Sequence, residues 1–148
     1  MMDGMGVATR TRRGAAAEAW ELMHELFLSQ RRRFVALASE FDLAPAQLGA
    51  LKQLQPGTPM AMSELAGALA CDASNVTGIV DRLEARGLVE RRSAAHDRRV
   101  KMLVVTEEGA VLRARLAERM AQPPPVLAQL PAADQRALRD IMRRVAEG

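Results

Sequence analysis

Apolar positions recur at helical spacing through the first third of the chain. Trp20, Met23, Phe27, Phe34, Leu37 and Phe41, widened by Leu22 and Leu26, fall on one face of a helix predicted over residues 15–40. Arg31, Arg32 and Arg33 lie mostly off that face. A helix this long needs a surface along its length, which in a small protein is often a second subunit. Pro45 opens a second helix, where its missing N–H costs no hydrogen bond; Leu48, Leu51 and Leu54 form its stripe, and Gln55–Pro59 breaks it. A third, short helix turns Leu65, Ala66 and Leu69 inward. Asp72 is placed to cap a fourth by accepting a backbone N–H near Ser74 or Asn75. Its buried stripe is Val76, Ile79, Val80 and Leu83, and Gly87 supplies the left-handed end.

The period then changes. The runs Leu88–Arg92 and Arg99–Thr106 read as strands, the second alternating Val100, Met102 and Val104 with Lys101, Leu103 and Val105. Ser93–Asp97 between them lacks a tight Asn-Gly turn, so a looser hairpin tip is expected. Thr106 followed by Glu107 and Glu108 starts a helix carrying Val111, Leu112, Leu116 and Met120. Pro123–Pro125 ends or bends it, and Pro131 and Ala132 open a last helix with Leu138, Ile141, Met142 and Val145 inward. The order of elements predicts a mainly α protein with a small β-hairpin, a winged helix-turn-helix flanked by long N- and C-terminal helices. Packed on the three preceding helices, the hairpin holds a shape it would not hold alone.

Composition agrees and adds a location for charge. The 148 residues suit one domain, are 49% apolar and only 3% aromatic, so aliphatic side chains fill the core. A single cysteine, Cys71, excludes an intrachain disulfide and fits a reducing compartment, so a cytoplasmic location is expected. No apolar run approaches the roughly 18–20 residues of a membrane span, and residues 1–14, with arginines but no apolar segment, read as a disordered basic arm. From Arg82 to Lys101 lie seven basic and three acidic residues, an excess of +4 against +3 for the whole chain. The positive charge therefore sits in one segment, the footprint of a polyanion-binding surface.

The segment "SELAGALACDASNVTGIVDRLEARGLVERRSAAHDRRVKMLVVTEEG" resembles the MarR family of bacterial transcriptional regulators. The resemblance rests on Leu65–Ala66, the Ser74–Val89 recognition-helix segment, the Asp97–Arg99 wing and the Val105–Gly109 exit, and runs from about Trp20 to Val145. It implies an obligate homodimer joined through the first and last helices, residues 15–42 and 107–148. It also implies a DNA-binding lobe over 43–106, a pseudo-palindromic operator and, often, release of DNA by a small ligand. Several positions depart from the family pattern. Ala44 and Ala61 stand where Ser or Thr commonly caps a helix, a loss of about 1 kcal/mol each. Ala70 stands where the turn often has Gly, and Cys71 where an aliphatic residue is usual.

Two segments carry the expected chemistry. In the recognition helix, 72–86, Ser74, Asn75, Thr77, Gly78, Asp81 and Arg82 lie away from the apolar stripe, and the short polar residues near its N-terminus let the backbone approach a major groove. Gly78 is costly inside a helix unless something comes close to it. In the wing, 90–105, Arg98 or Arg99 would enter a minor groove, with Asp97 bracing an arginine as the family's Asp-x-Arg pattern suggests. Arg92, like Arg82, Arg86 and Arg91, would touch phosphate or form a local ion pair. Trp20, Met23, Phe27 and Phe34 form a candidate pocket for an apolar or aromatic effector, or else pack in the core and dimer. The leading reading is a homodimeric repressor that binds double-stranded DNA. The alternatives are a winged-helix module that binds protein and a redox-responsive regulator acting through Cys71. No nucleophile–base pair or phosphate loop points to an enzyme, and two distant histidines with one cysteine make no metal motif, so neither metal nor cofactor is expected.

Overall fold

The computed structural model describes residues 14–148, so the expected basic arm, Gly14 apart, lies outside the described residues. The described residues form two compact units, one ending at Pro45 and one spanning Ala46–Gly148. The first is helix α1, Ala15–Glu40, with the bounds its apolar spacing predicts. Its end is closed by Asp42 in the left-handed region (φ 55°): the Leu43 N–H donates to Ala38 O at 2.9 Å and the Asp42 N–H to Ser39 O at 3.0 Å. Leu37, Ala38 and Leu43 are buried, whereas Trp20 and Phe27 are 64% and 59% exposed. The expected single apolar face is therefore covered only at its C-terminal end among the described residues.

The second unit continues α2, Pro45–Gln53, and holds β1 (Met60–Ala61), α3 (Met62–Leu69), α4 (Ala73–Ala85), β2 (Val89–Ser93) and β3 (Lys101–Val105). After these come α5 (Glu107–Ala121), the short α6 (Pro125–Ala128) and α7 (Ala132–Glu147). Its core is aliphatic: Leu48, Leu51, Leu54, Leu65, Val76, Val80, Leu83, Leu103 and Leu116 are all at most 1% exposed. Side chains of this kind each contribute roughly 1.5–3 kcal/mol on burial. The predicted hairpin forms from β2 and β3, and β1, which was not predicted, joins it to make a three-stranded antiparallel sheet in the order β1-β3-β2. Met60 pairs with Leu103 and Ala61 with Met102, so the root of the wing is tied to the start of α3. Five pairs, from Val89 with Val105 to Ser93 with Lys101, join β2 to β3.

Local chemistry sets the ends of these elements. Ala61 offers α3 no side-chain cap, and Ala70 ends α3 at φ 50°, a left-handed conformation that costs a non-glycine residue roughly 1–2 kcal/mol. Gly87 at φ 69° closes α4 as predicted, with its own N–H on Glu84 O and the Leu88 N–H on Leu83 O. Thr106 caps α5 by accepting the Gly109 N–H at 3.0 Å, and its hydroxyl donates to Gly87 O at 2.5 Å. The Thr106 N–H donates to Leu88 O, so α5 is fastened to the turn that leads into the wing. Gly109 belongs to the same joint: a Cβ there would collide with the backbone oxygen of Leu88.

Not every predicted stripe is covered. Of the predicted apolar stripe of α5 only Leu116 is buried, with Leu112 half-buried and Val111 exposed. Leu138, Ile141, Met142 and Val145 of α7, expected to face inward, are 36–62% exposed, and no α7 residue is buried among the described residues.

Candidate nucleic-acid interface

Helix α4 presents the predicted division of faces. Val76, Val80 and Leu83 are buried, Ile79 is half-buried, and Ser74, Asn75, Thr77, Gly78, Asp81 and Arg82 are exposed. The N-terminal turn is ordered by Asp72, whose Oδ1 accepts the Asn75 N–H at 2.8 Å and the Ser74 hydroxyl at 2.9 Å. These bonds, the Asn75 one foremost, hold the Asp72 carboxyl below its ordinary pKa of 3.8. Thr77 donates its hydroxyl to Ala73 O at 2.9 Å. Ser74 and Thr77 have thus committed their protons to the helix and offer lone pairs outward, as acceptors. The Asn75 amide and the Arg82 guanidinium have no hydrogen-bond partner among the described residues and offer donors. A Cβ on Gly78 would meet nothing within 4 Å, so no neighbouring part of the described chain demands glycine there.

The wing differs from expectation at its tip. The connection between β2 and β3 runs from Ala94 to Val100, and Ala94, expected to be part of a flexible tip, is buried, its N–H donating to Val100 O at 2.9 Å. The Val100 N–H donates to Asp97 O at 3.2 Å, so Arg98 and Arg99 are the two central residues of a turn rather than the start of a strand. Asp97 does brace an arginine. Its Oδ1 accepts the Arg99 backbone N–H at 2.9 Å and Nε at 3.2 Å, while Oδ2 accepts Nη2 at 3.3 Å. The same bonds, the backbone one first, lower the Asp97 pKa. The Arg99 side chain remains 91% exposed, its guanidinium held by Asp97. Arg98 is exposed and has no ion-pair partner among the described residues.

The remaining basic residues divide. Arg92 pairs with Glu90 at 2.8 Å on the same face of β2, an exposed pair of small energetic weight. Arg91 turns the other way and bonds to α4. Lys101 Nζ donates to Ser93 Oγ at 3.2 Å, a neutral partner that leaves its charge uncompensated.

Of the candidate effector residues, Met23 and Phe34 are half-buried, and Trp20 and Phe27 stand exposed on α1. A concavity of about 490 Å³ that sequence reasoning missed lies in the second unit, lined by Arg86, Leu88, Glu107, Glu108, Val111 and Arg115 among others. Its residues come from the end of α4 and the start of α5, a juxtaposition made by the Thr106 joint and not readable from spacing. Cys71 is half-buried. Among the described residues no three His, Cys, Asp or Glu side chains gather as metal ligands, and no helix is long and apolar enough to cross a membrane.

The sequence model of the MarR family matches residues 43–101. The HTH-type transcriptional repressor MdtR of Bacillus subtilis is 33% identical over 98 residues, 62% of this chain and 63% of its own length. The chain spans 56–63% of the length of the first three curated relatives it matches. Among solved structures, the YusO protein of Bacillus subtilis superposes with a TM-score of 0.72 at 23% identity, covering 92% of this chain and 99% of that one. A mutant of Staphylococcus aureus MepR bound to an oligodeoxyribonucleotide gives 0.68 at 17% identity, covering 87% and 96%. The structural likenesses establish the winged-helix fold; the sequence matches lie with transcriptional regulators.

Proposed function

This chain belongs to the MarR family through residues 43–101, and on that premise we propose that it is a homodimeric, sequence-specific DNA-binding repressor. In this reading α4 enters the major groove, where Ser74, Asn75, Thr77 and Arg82 meet base edges or phosphates. The wing enters the adjacent minor groove through Arg98 and Arg99, aimed by Asp97, with Arg92 near the backbone. The observation that carries it is the wing turn: two adjacent arginines at its centre, one braced by a carboxylate and one unpaired among the described residues. An exposed turn serving no polyanion has no need to concentrate repulsive charge in this way.

Dimerisation is assigned to residues 15–42 and 107–148, whose helices leave apolar side chains exposed that a second copy would cover. The two recognition helices would then lie roughly 34–36 Å apart, one turn of DNA. Relatives such as MdtR are named as repressors, which favours repression; in this reading it takes place in the cytoplasm and is relieved by a small apolar or aromatic ligand.

The test begins with selection of bound fragments from genomic DNA. The selected operator is then titrated in gel shifts with the wild type and with the Arg98→Ala, Arg99→Ala double variant. Operator affinity should fall at least ~100-fold while the dimer persists. Undiminished affinity in the double variant rules out the wing as a DNA contact.

A further inference from the structure

One arginine joins the wing to the recognition helix. Arg91, the third residue of β2 and opposite Leu103 of β3, has a side chain only 23% exposed. Its Nη1 donates to Glu84 Oε1 at 2.8 Å and its Nη2 to Asp81 Oδ1 at 2.5 Å. The other Glu84 oxygen accepts the Arg91 backbone N–H at 3.1 Å. Three hydrogen bonds thus run from one residue of the wing to two carboxylates on α4. Burial works against the charge on Arg91, and the bonds to Asp81 and Glu84 more than offset it, leaving its pKa above the ordinary arginine value.

Asp81 and Glu84 continue the stripe of Ser74 and Thr77 along α4, the stripe that would face DNA. Two carboxylates there would repel phosphates unless something neutralised them. A planar guanidinium can hold both at once, one on each terminal nitrogen; a lysine ammonium has no such fork. A phosphate seeking Arg91 would have to displace two carboxylates already bound.

We propose that Arg91 is a positioning residue of the DNA-reading surface: its charge is spent on Asp81 and Glu84, and it fixes the wing relative to the recognition helix. The inference rests on the DNA-binding reading above. The test compares the wild type with Arg91→Ala, Arg91→Lys and, as a control, Arg98→Ala, titrated on the selected operator at several salt concentrations. Both Arg91 variants should lose about 10-fold or more in affinity. Their slope of log K against log salt should stay within about 0.3 of the wild type, whereas each lost phosphate contact in the control lowers it by about 0.9. Amides of β2 should exchange hydrogen faster in both Arg91 variants without DNA. Wild-type affinity in Arg91→Lys, a slope reduced by about 0.9 or more in Arg91→Ala, or unchanged exchange in both variants overturns the proposal. A wild type that binds no duplex overturns the DNA-binding reading together with it. A wild type that binds while Arg91 behaves as a phosphate contact overturns this inference alone.

Discussion

Helices α4 and α7 are written in the same code and meet opposite fates. Both carry aliphatic residues at helical spacing on one side and charged or small residues on the other. In α4 the aliphatic stripe is sealed, with Val76, Val80 and Leu83 at most 1% exposed. In α7, Leu138, Ile141, Met142 and Val145 share a face by the i, i+3, i+4, i+7 rule, and all remain open to solvent. An amphipathic pattern states that a face requires cover. It does not state which chain supplies it. For α4 the cover is α3 and the sheet of the same unit; for α7 the proposed cover is a second copy.

Substitutions on the two helices should separate these roles. Leu83→Ala empties a sealed position and should cost about 2–5 kcal/mol, read as a lower denaturant midpoint. Ile141→Asp with Val145→Asp should leave the circular dichroism of the winged helix intact and turn dimers into monomers in sedimentation equilibrium. A double variant that stays dimeric would remove α7 from the interface. On the outward face of α4, Gly78→Ala should stabilise the chain by roughly 0.5–1 kcal/mol, since it relieves a helix-interior glycine and meets no neighbour. Its operator affinity should nevertheless drop. A variant that both melts higher and binds as well would show that nothing approaches this face closely. The smallest effect concerns pH. The Asp72 carboxyl has a folded pKa below its ordinary value of 3.8. Its contribution is therefore complete above that value and is lost as pH falls through the folded pKa. Asp72→Asn, which keeps a capping oxygen, should flatten the acid limb of a helicity titration; an unchanged limb would mean the cap does not titrate with folding.

What could be read from the sequence was what local chemistry decides. Asp72, Gly87 and Thr106 act on residues one to three positions away, and each performs the predicted capping role. The apolar stripe of α4 was legible for the same reason. The third strand was not, because Met60 and Ala61 are two residues whose partners, Leu103 and Met102, lie about forty positions on. An ion pair was one of two roles open to Arg91, but its partners were hidden: its carboxylates stand seven and ten residues earlier, and only the crossing of β2 over α4 brings them together. Asp97 and Arg99 fell between these cases. Their pairing was legible, while their place in a turn closed by Val100 depended on where the strands stopped pairing. The exposure of Trp20 and Phe27 follows from α1 being covered only near Leu37 and Ala38 among the described residues.

The joint at Gly109 sets a rule for heredity as well as for packing. Every other amino acid adds a Cβ, and any Cβ at this position strikes the Leu88 carbonyl. The position therefore has no conservative replacement: each missense change of its codon pushes α5 away from the root of the wing. In a genetic screen for lost regulation, such alleles would collect at a buried glycine of this joint, and would resemble defects in the reading surface itself.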